Sequence, residues 1–240
     1  MSELSYPPPP PPPPPPPAAA PASEFDFAKP FTYVFEDPRW LTKILIGGLF
    51  YLAMFFIVGA FFILGYLARL TRNVIAGERY PLPEWDDLGE FFAEGARLIV
   101  VGILWMLPFF ALVAMIVVPA IAAGATNNDA LKLFSTGLSG CVALLIVVFS
   151  LAMMVIMPAS LLFAMVEQRI GAAFEFGRIW RFIRANVGNY LMAVVVYLIA
   201  RFIGGFGVAL LCIGVIFTAF WSFLITAYGF AQAYRLSLRR

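Results

Sequence analysis

Five stretches without a charged side chain follow Lys43, and they limit what this chain can fold into: Ile44–Ala68, Leu98–Asn128, Leu133–Val166, Ala185–Ala200 and Phe202–Tyr234. A helix of about 20 apolar residues crosses the hydrocarbon of a bilayer. Within lipid every backbone N–H and C=O must be paired inside its own segment, so such stretches are helices. Composition agrees, with 62% of the 240 residues hydrophobic and 12% charged. That is about half the charge of a soluble domain, and surface-to-volume scaling leaves a chain this size no room to hide the apolar excess. The expected fold is all-α: a polytopic membrane helical bundle of about five hydrophobic helices, within a membrane domain over residues 44–240.

The stretches differ in what they demand. Ile44–Ala68 reads either as one span or as a re-entrant hairpin broken near Gly59. The second predicts a helix from Leu98 to Ile121, kinked at Pro108, with Pro119 near its end. The third is longer than one span requires, and Pro158 bends its exit. The last two are separated only by Arg201 and would measure roughly 75 Å as one helix, so a break is needed. Gly204-Gly205-Phe206-Gly207 supplies it, between helices Tyr190–Ile203 and Val208–Tyr228. An intramembrane arginine is a functional candidate, but Arg201 beside a turn also suits a side chain snorkelling to the interface.

Two connectors read as amphipathic interfacial helices. Pro83–Leu98 opens on Pro-Glu-Trp-Asp-Asp, acids that suit a helix N-terminus. Gly171–Ala185 places Arg178 and Arg181 on one side and Phe176, Ile179, Trp180 and Ile183 on the other. Lipid headgroups or the acidic surface of another subunit are its candidate partners. Span, amphipathic helix and span thus occur twice, a weak sign of duplication.

Basic residues orient the bundle. Arg69, Arg72, Arg79 and Arg97, then Arg169, Arg178, Arg181 and Arg184, then Arg235, Arg239 and Arg240 fall on one face. Lys132 and Arg201 fall opposite. Both amphipathic segments and the C-terminus are therefore expected in the cytoplasm. A full first span puts the N-terminus outside, against Lys29, Arg39 and Lys43; a hairpin puts it inside.

Residues 1–24 form a separate arm. Pro7 to Pro17 is an unbroken proline run, a polyproline II rod of roughly 34 Å, read as a spacer or as a ligand for a Pro-groove module. The arm has no apolar core typical of a signal peptide. Residues 25–43 read as an interfacial N-terminal segment. The chain has no histidine, which excludes imidazole ligation and histidine acid–base chemistry. Cys141 and Cys212 lie in apolar runs as small hydrophobes. A net charge of +2 gives no case for nucleic acid.

Phe35-Glu36-Asp37 with Trp40 and Lys43 to Gly48, Gly65-Tyr66 with Arg69 and Arg72, Leu82-Pro83-Glu84-Trp85-Asp86-Asp87, Trp105-Met106-Leu107-Pro108 and Gln232-Ala233-Tyr234-Arg235 form a recognisable set. Together they resemble the domain of unknown function 4013, a family of prokaryotic integral membrane proteins, over residues 30–236. The resemblance implies a prokaryotic inner (cytoplasmic) membrane protein and no activity. Its members often carry a proline in the first hydrophobic stretch, which Leu52–Leu64 lacks.

Trp85, Asp86 and Asp87, with Glu84, form the one dense carboxylate group. It could hold a divalent cation or a basic partner, or simply be an acidic helix start with Trp85 as interfacial anchor. Arg178, Trp180, Arg181 and Arg201 are the other candidate interaction residues. No catalytic, cofactor or metal residue is expected. The span interiors are almost wholly apolar, with Ser150, Thr218, Ser222 and Thr226 the main exceptions. Two functions remain: a non-catalytic accessory or scaffold subunit packed against partner membrane proteins, or a small-solute transporter or channel.

Overall fold

A computed structural model of the chain describes residues 24–126, 128–207 and 213–239. The polyproline run lies outside them. A short N-terminal segment, α1 (Lys29–Thr32) with a 3-10 turn to Glu36, precedes α2 (Trp40–Leu52), which runs on as a 3-10 turn to Phe56. Then come α3 (Val58–Ala76), α4 (Leu88–Thr126), α5 (Asp129–Glu167), a 3-10 turn Ile170–Phe174, α6 (Phe176–Ala185), α7 (Val187–Phe206) and α8 (Ile213–Ser237). Among the described residues there is no strand, and five helices are long and apolar enough to cross a membrane: α3, α4, α5, α7 and α8. The chain is an integral membrane protein with a helical bundle fold.

The first hydrophobic stretch is a hairpin. Its break falls at Ile57, two residues before Gly59, where φ reaches +66°. A β-branched residue is strained there, and the surroundings hold it in place. Gly59 lies directly on the backbone of Phe50 and Ala53, where a Cβ would collide, and Phe50 and Phe62 meet across the hairpin with ring centroids 4.7 Å apart. Between Lys43 and Arg69 each leg has about a dozen apolar residues, roughly 20 Å of helix.

Helix ends follow local chemistry. Gly77 takes φ +82° and closes α3, its N–H donating to Asn73 and Val74. The Asp87 carboxylate accepts from the Glu90 N–H at the start of α4, and Asn128 caps α5 by accepting from Ala130 and Leu131. Gln168, in the left-handed conformation, ends α5.

Three details differ from the sequence reading. The first amphipathic segment is no separate helix: from Leu88 it is continuous with the second span, whereas α6 stands apart from α7. The second span does not end near Ile121 but runs on to Thr126 with Pro108 and Pro119 inside it, and α5 continues past Pro158 to Glu167, as membrane helices allow when neighbours satisfy the freed carbonyls. Lastly, α7 passes through Gly204 and Gly205 to Phe206. Gly204 serves packing, since it faces Ser222 of α8, while Gly205 has open space where a Cβ would stand.

Glycines also set the closest approaches elsewhere. Gly65 rests on the backbone of Phe91, and Gly95 on that of Phe61. Phe220 of α8, fully buried, fills the notch left by Gly47, and Phe217 lies over Gly48. The N-terminal segment is clamped to α8: Tyr33 stacks on Tyr228 at 4.3 Å and donates its hydroxyl to the Leu224 carbonyl at 3.2 Å. Arg235 of α8 reaches over Gly77. The N-terminal segment, the 77–87 connector, the α5–α6 connector and the C-terminal end of α8 therefore gather at one polar end of the bundle.

Away from that end α4 and α5 pair with each other and little else. Each has 39 residues, about 58 Å of helix. In the most apolar stretch of each, 11% is buried, against 50% in α3.

Candidate functional site

The polar end is organised around the 77–87 connector. Pro81 and Pro83 have no N–H, so this extended segment cannot pair its backbone as a ladder and its carbonyls need donors from elsewhere. Three side chains supply them in register. Asn73 Nδ2 donates to the Pro81 carbonyl at 3.0 Å, Lys43 Nζ to that of Leu82 at 2.8 Å, and the Tyr66 hydroxyl to that of Pro83 at 3.0 Å. The next turn inserts Trp85 into the bundle. Its ring stacks on Tyr66 (4.2 Å) and Phe50 (4.8 Å) and meets Phe91 edge-on (5.7 Å). Its Nε1 donates to the Lys43 carbonyl at 3.1 Å. Trp85 is thus a wedge between helices, with its one donor satisfied.

Lys43 is the electrostatic centre. Its side chain is 5% exposed, and Nζ donates to Asp37 Oδ2 at 2.7 Å and to the Leu82 carbonyl at 2.8 Å while pairing with Glu84 Oε1 at 2.6 Å. Asp37 also accepts from the Arg39 N–H at 2.8 Å, and Arg39 pairs with Glu84 at 2.8 Å. Above this network opens a cleft of about 570 Å³, lined by Arg39, Arg69, Asn73, Glu78, Glu84 and Asp86 among others. The sequence-predicted acids are separated: Asp86 lines the cleft, while Asp87 caps α4 and lies 3.9 Å from Arg69, itself 2.6 Å from Glu90. Among the described residues no group of three Asp, Glu, Cys or His side chains could hold a metal ion.

A second cluster joins α3, α4 and the end of α5. Arg72 pairs with Glu94 Oε1 at 2.6 Å, and Gln168 Nε2 donates to the same oxygen at 2.5 Å. Glu94 is 4% exposed, and its Oε2 has no hydrogen-bond partner. Beside it is a cavity of about 10 Å³ that Arg72, Arg97 and Arg169 also line, room for about one water. Nothing local in the sequence joins Gln168 to Glu94, because the left-handed turn that aims it appears only in the fold.

Arg178 and Arg181 do not form one basic face. Arg178 turns inward, pairing with Glu167 and Glu175 and lying 4.7 Å over the Phe163 ring. Arg169 shares both carboxylates; its bonds to Glu167 and then Glu175 hold this guanidinium more firmly protonated than an ordinary arginine. Trp180 turns outward, 47% exposed, while Ile179, Phe182 and Ile183 are buried. Arg201 is exposed near the far end of α7, away from all of these groups.

A family model described as "Protein of unknown function (DUF4013)" matches residues 48–233. The match begins after Phe35–Gly47, which the resemblance had included. It takes in Tyr66, the whole 77–87 connector and the Glu94 cluster. No curated protein and no solved structure matches the chain.

Proposed function

The chain belongs to the DUF4013 family of proteins of unknown function, and from that premise we propose that it is a non-catalytic accessory or scaffold subunit that packs against partner membrane proteins. The observation that carries this reading is the α4–α5 hairpin. α7, at 20 residues, is about 30 Å long and matches the hydrocarbon thickness. α4 and α5 are nearly twice that length and present a continuous apolar surface that includes Phe110, Val118, Ile121, Leu144 and Leu151, each at least 60% exposed. Gly137 and Gly140 on α5 have open space where a Cβ would stand, so another helix could approach closely there.

In this reading the polar end faces the cytoplasm of a prokaryotic inner membrane, in keeping with its excess of arginine. Its interlocked loops form a rigid platform, and the polyproline arm offers a further contact to a Pro-groove module. The test is extraction in a mild detergent followed by mass spectrometry. A stoichiometric membrane partner that is lost on Gly140→Trp supports the proposal; a clean monomer overturns it.

A small-solute transporter or channel is the alternative, favoured by one observation: the unpartnered carboxylate oxygen of Glu94 beside a small cavity within the helical domain. Solute flux in proteoliposomes that Glu94→Gln abolishes would establish it in place of the scaffold.

A further inference from the structure

We propose that the outward face of α6 binds the headgroup of an anionic phospholipid, with Arg181 and Arg184 holding the phosphate and Trp180 anchoring beside it. Positions 176, 180 and 184 follow one another at four-residue spacing and so share one face of the helix, with 181 next to it. Ile179, Phe182 and Ile183, on the opposite side, are buried in the bundle. The outward face carries two half-exposed aromatics, Phe176 (55%) and Trp180 (47%). Arg184 stacks 4.7 Å over the Trp180 ring, which fixes its guanidinium beside the indole. Arg181 donates Nε to the Gly177 carbonyl at 3.2 Å, and this bond turns the fork of the side chain in one direction.

Charge decides which ligand suits this face. α6 has three arginines and no acid. The neighbouring carboxylates, Glu167 and Glu175, are taken by Arg178 and Arg169. Arg181 and Arg184 form no ion pair among the described residues, so the face keeps an excess of positive charge. An anion between two guanidinium groups and an indole satisfies all three. The apolar remainder of such a ligand also has a place to lie: three residues after Arg184 the outward face of α7 begins, with Val187, Leu191 and Leu198 each 48% exposed or more. Guanidinium groups and an indole next to an exposed aliphatic face match a phospholipid, not a free phosphate. The inference holds whether or not α4–α5 carries a partner protein.

The experiment uses the full-length protein reconstituted in an equimolar mixture of phosphatidylcholine and phosphatidylglycerol, then released for native mass spectrometry to count retained lipids. The wild type is expected to retain phosphatidylglycerol in preference. Arg181→Gln with Arg184→Gln should reduce that preference by about 25-fold, and each single variant by about fivefold. Arg201→Gln, at the far end of α7, should leave it unchanged. Circular dichroism checks folding, and the single variants carry the test if the double variant is lost. Equal retention of the two lipids by the wild type overturns the proposal, as does an undiminished preference in folded variants. So does an acidic protein that leaves with Arg181 and Arg184 while the lipid preference stays.

Discussion

The indole N–H of Trp85 donates to the main-chain carbonyl of Lys43, 42 positions earlier in the chain. The same lysine sends its ammonium to the carbonyl of Leu82. Connector and first hydrophobic helix therefore hold each other through backbone atoms as well as side chains, a reciprocal lock that depends on Trp85 being seated among Phe50, Tyr66 and Phe91.

Trp85→Ala should accordingly destabilise the folded protein by about 3–5 kcal/mol, the range for emptying a large aromatic site. Trp85→Phe keeps the ring contacts and gives up the single hydrogen bond, a loss of about 1 kcal/mol. Thermal unfolding in detergent should rank wild type above Phe, and Phe well above Ala. Equal stability of Ala and wild type would remove the wedge from the account.

Lys43 predicts an asymmetry. Removing it alone leaves Asp37 buried without its cation, and breaking a buried pair from one side costs about 3–5 kcal/mol. Lys43→Met together with Asp37→Leu should recover much of that loss, because the uncompensated charge goes too. A double-mutant cycle measured by denaturant unfolding checks the coupling; strictly additive losses would count against it.

Gly65→Ala and Gly95→Ala place a methyl group against main-chain atoms of Phe91 and Phe61, which cannot swing aside as a side-chain tip would. Each should cost about 1–3 kcal/mol or more and shift detergent-solubilised protein toward aggregates in size-exclusion chromatography. Gly137→Ala, with open space around its Cβ, should stay within about 0.5 kcal/mol of wild type. Matching profiles for all three would mean that α3 and α4 are not in backbone contact.

The hairpin at Ile57 makes a topological prediction. With Cys141 and Cys212 replaced by alanine, single cysteines at Glu24 and at Leu238 should both resist an impermeant thiol reagent in intact cells, while one at Asp129 should react. Labelling at Glu24 alone would restore a full first span.

The spans were legible because lipid imposes a simple rule, long runs without charge, on any chain that crosses it. The charge distribution also pointed to the hairpin: Lys29, Arg39 and Lys43 made little sense on the far side, and in the fold Arg39 and Lys43 meet Glu84. The contents of the polar end were not legible. Asn73, Lys43 and Tyr66 meet three successive carbonyls only after two helices have turned back on themselves, and no periodicity records that. Trp85 read as an interfacial anchor because an acidic, tryptophan-bearing helix start has that composition wherever it lies. Arg178 and Arg181, three apart, share a face by spacing alone; the carboxylates of Glu167 and Glu175 draw one inward and leave the other out.

Phe220 sits in the notch of Gly47, so α8 completes the seat of α2, which is synthesised long before it. During biosynthesis that groove stays open while about 170 further residues are made. A nascent chain halted before α8 would present a glycine-lined vacancy to the bilayer. Membrane quality control could recognise that vacancy as the mark of an unfinished molecule.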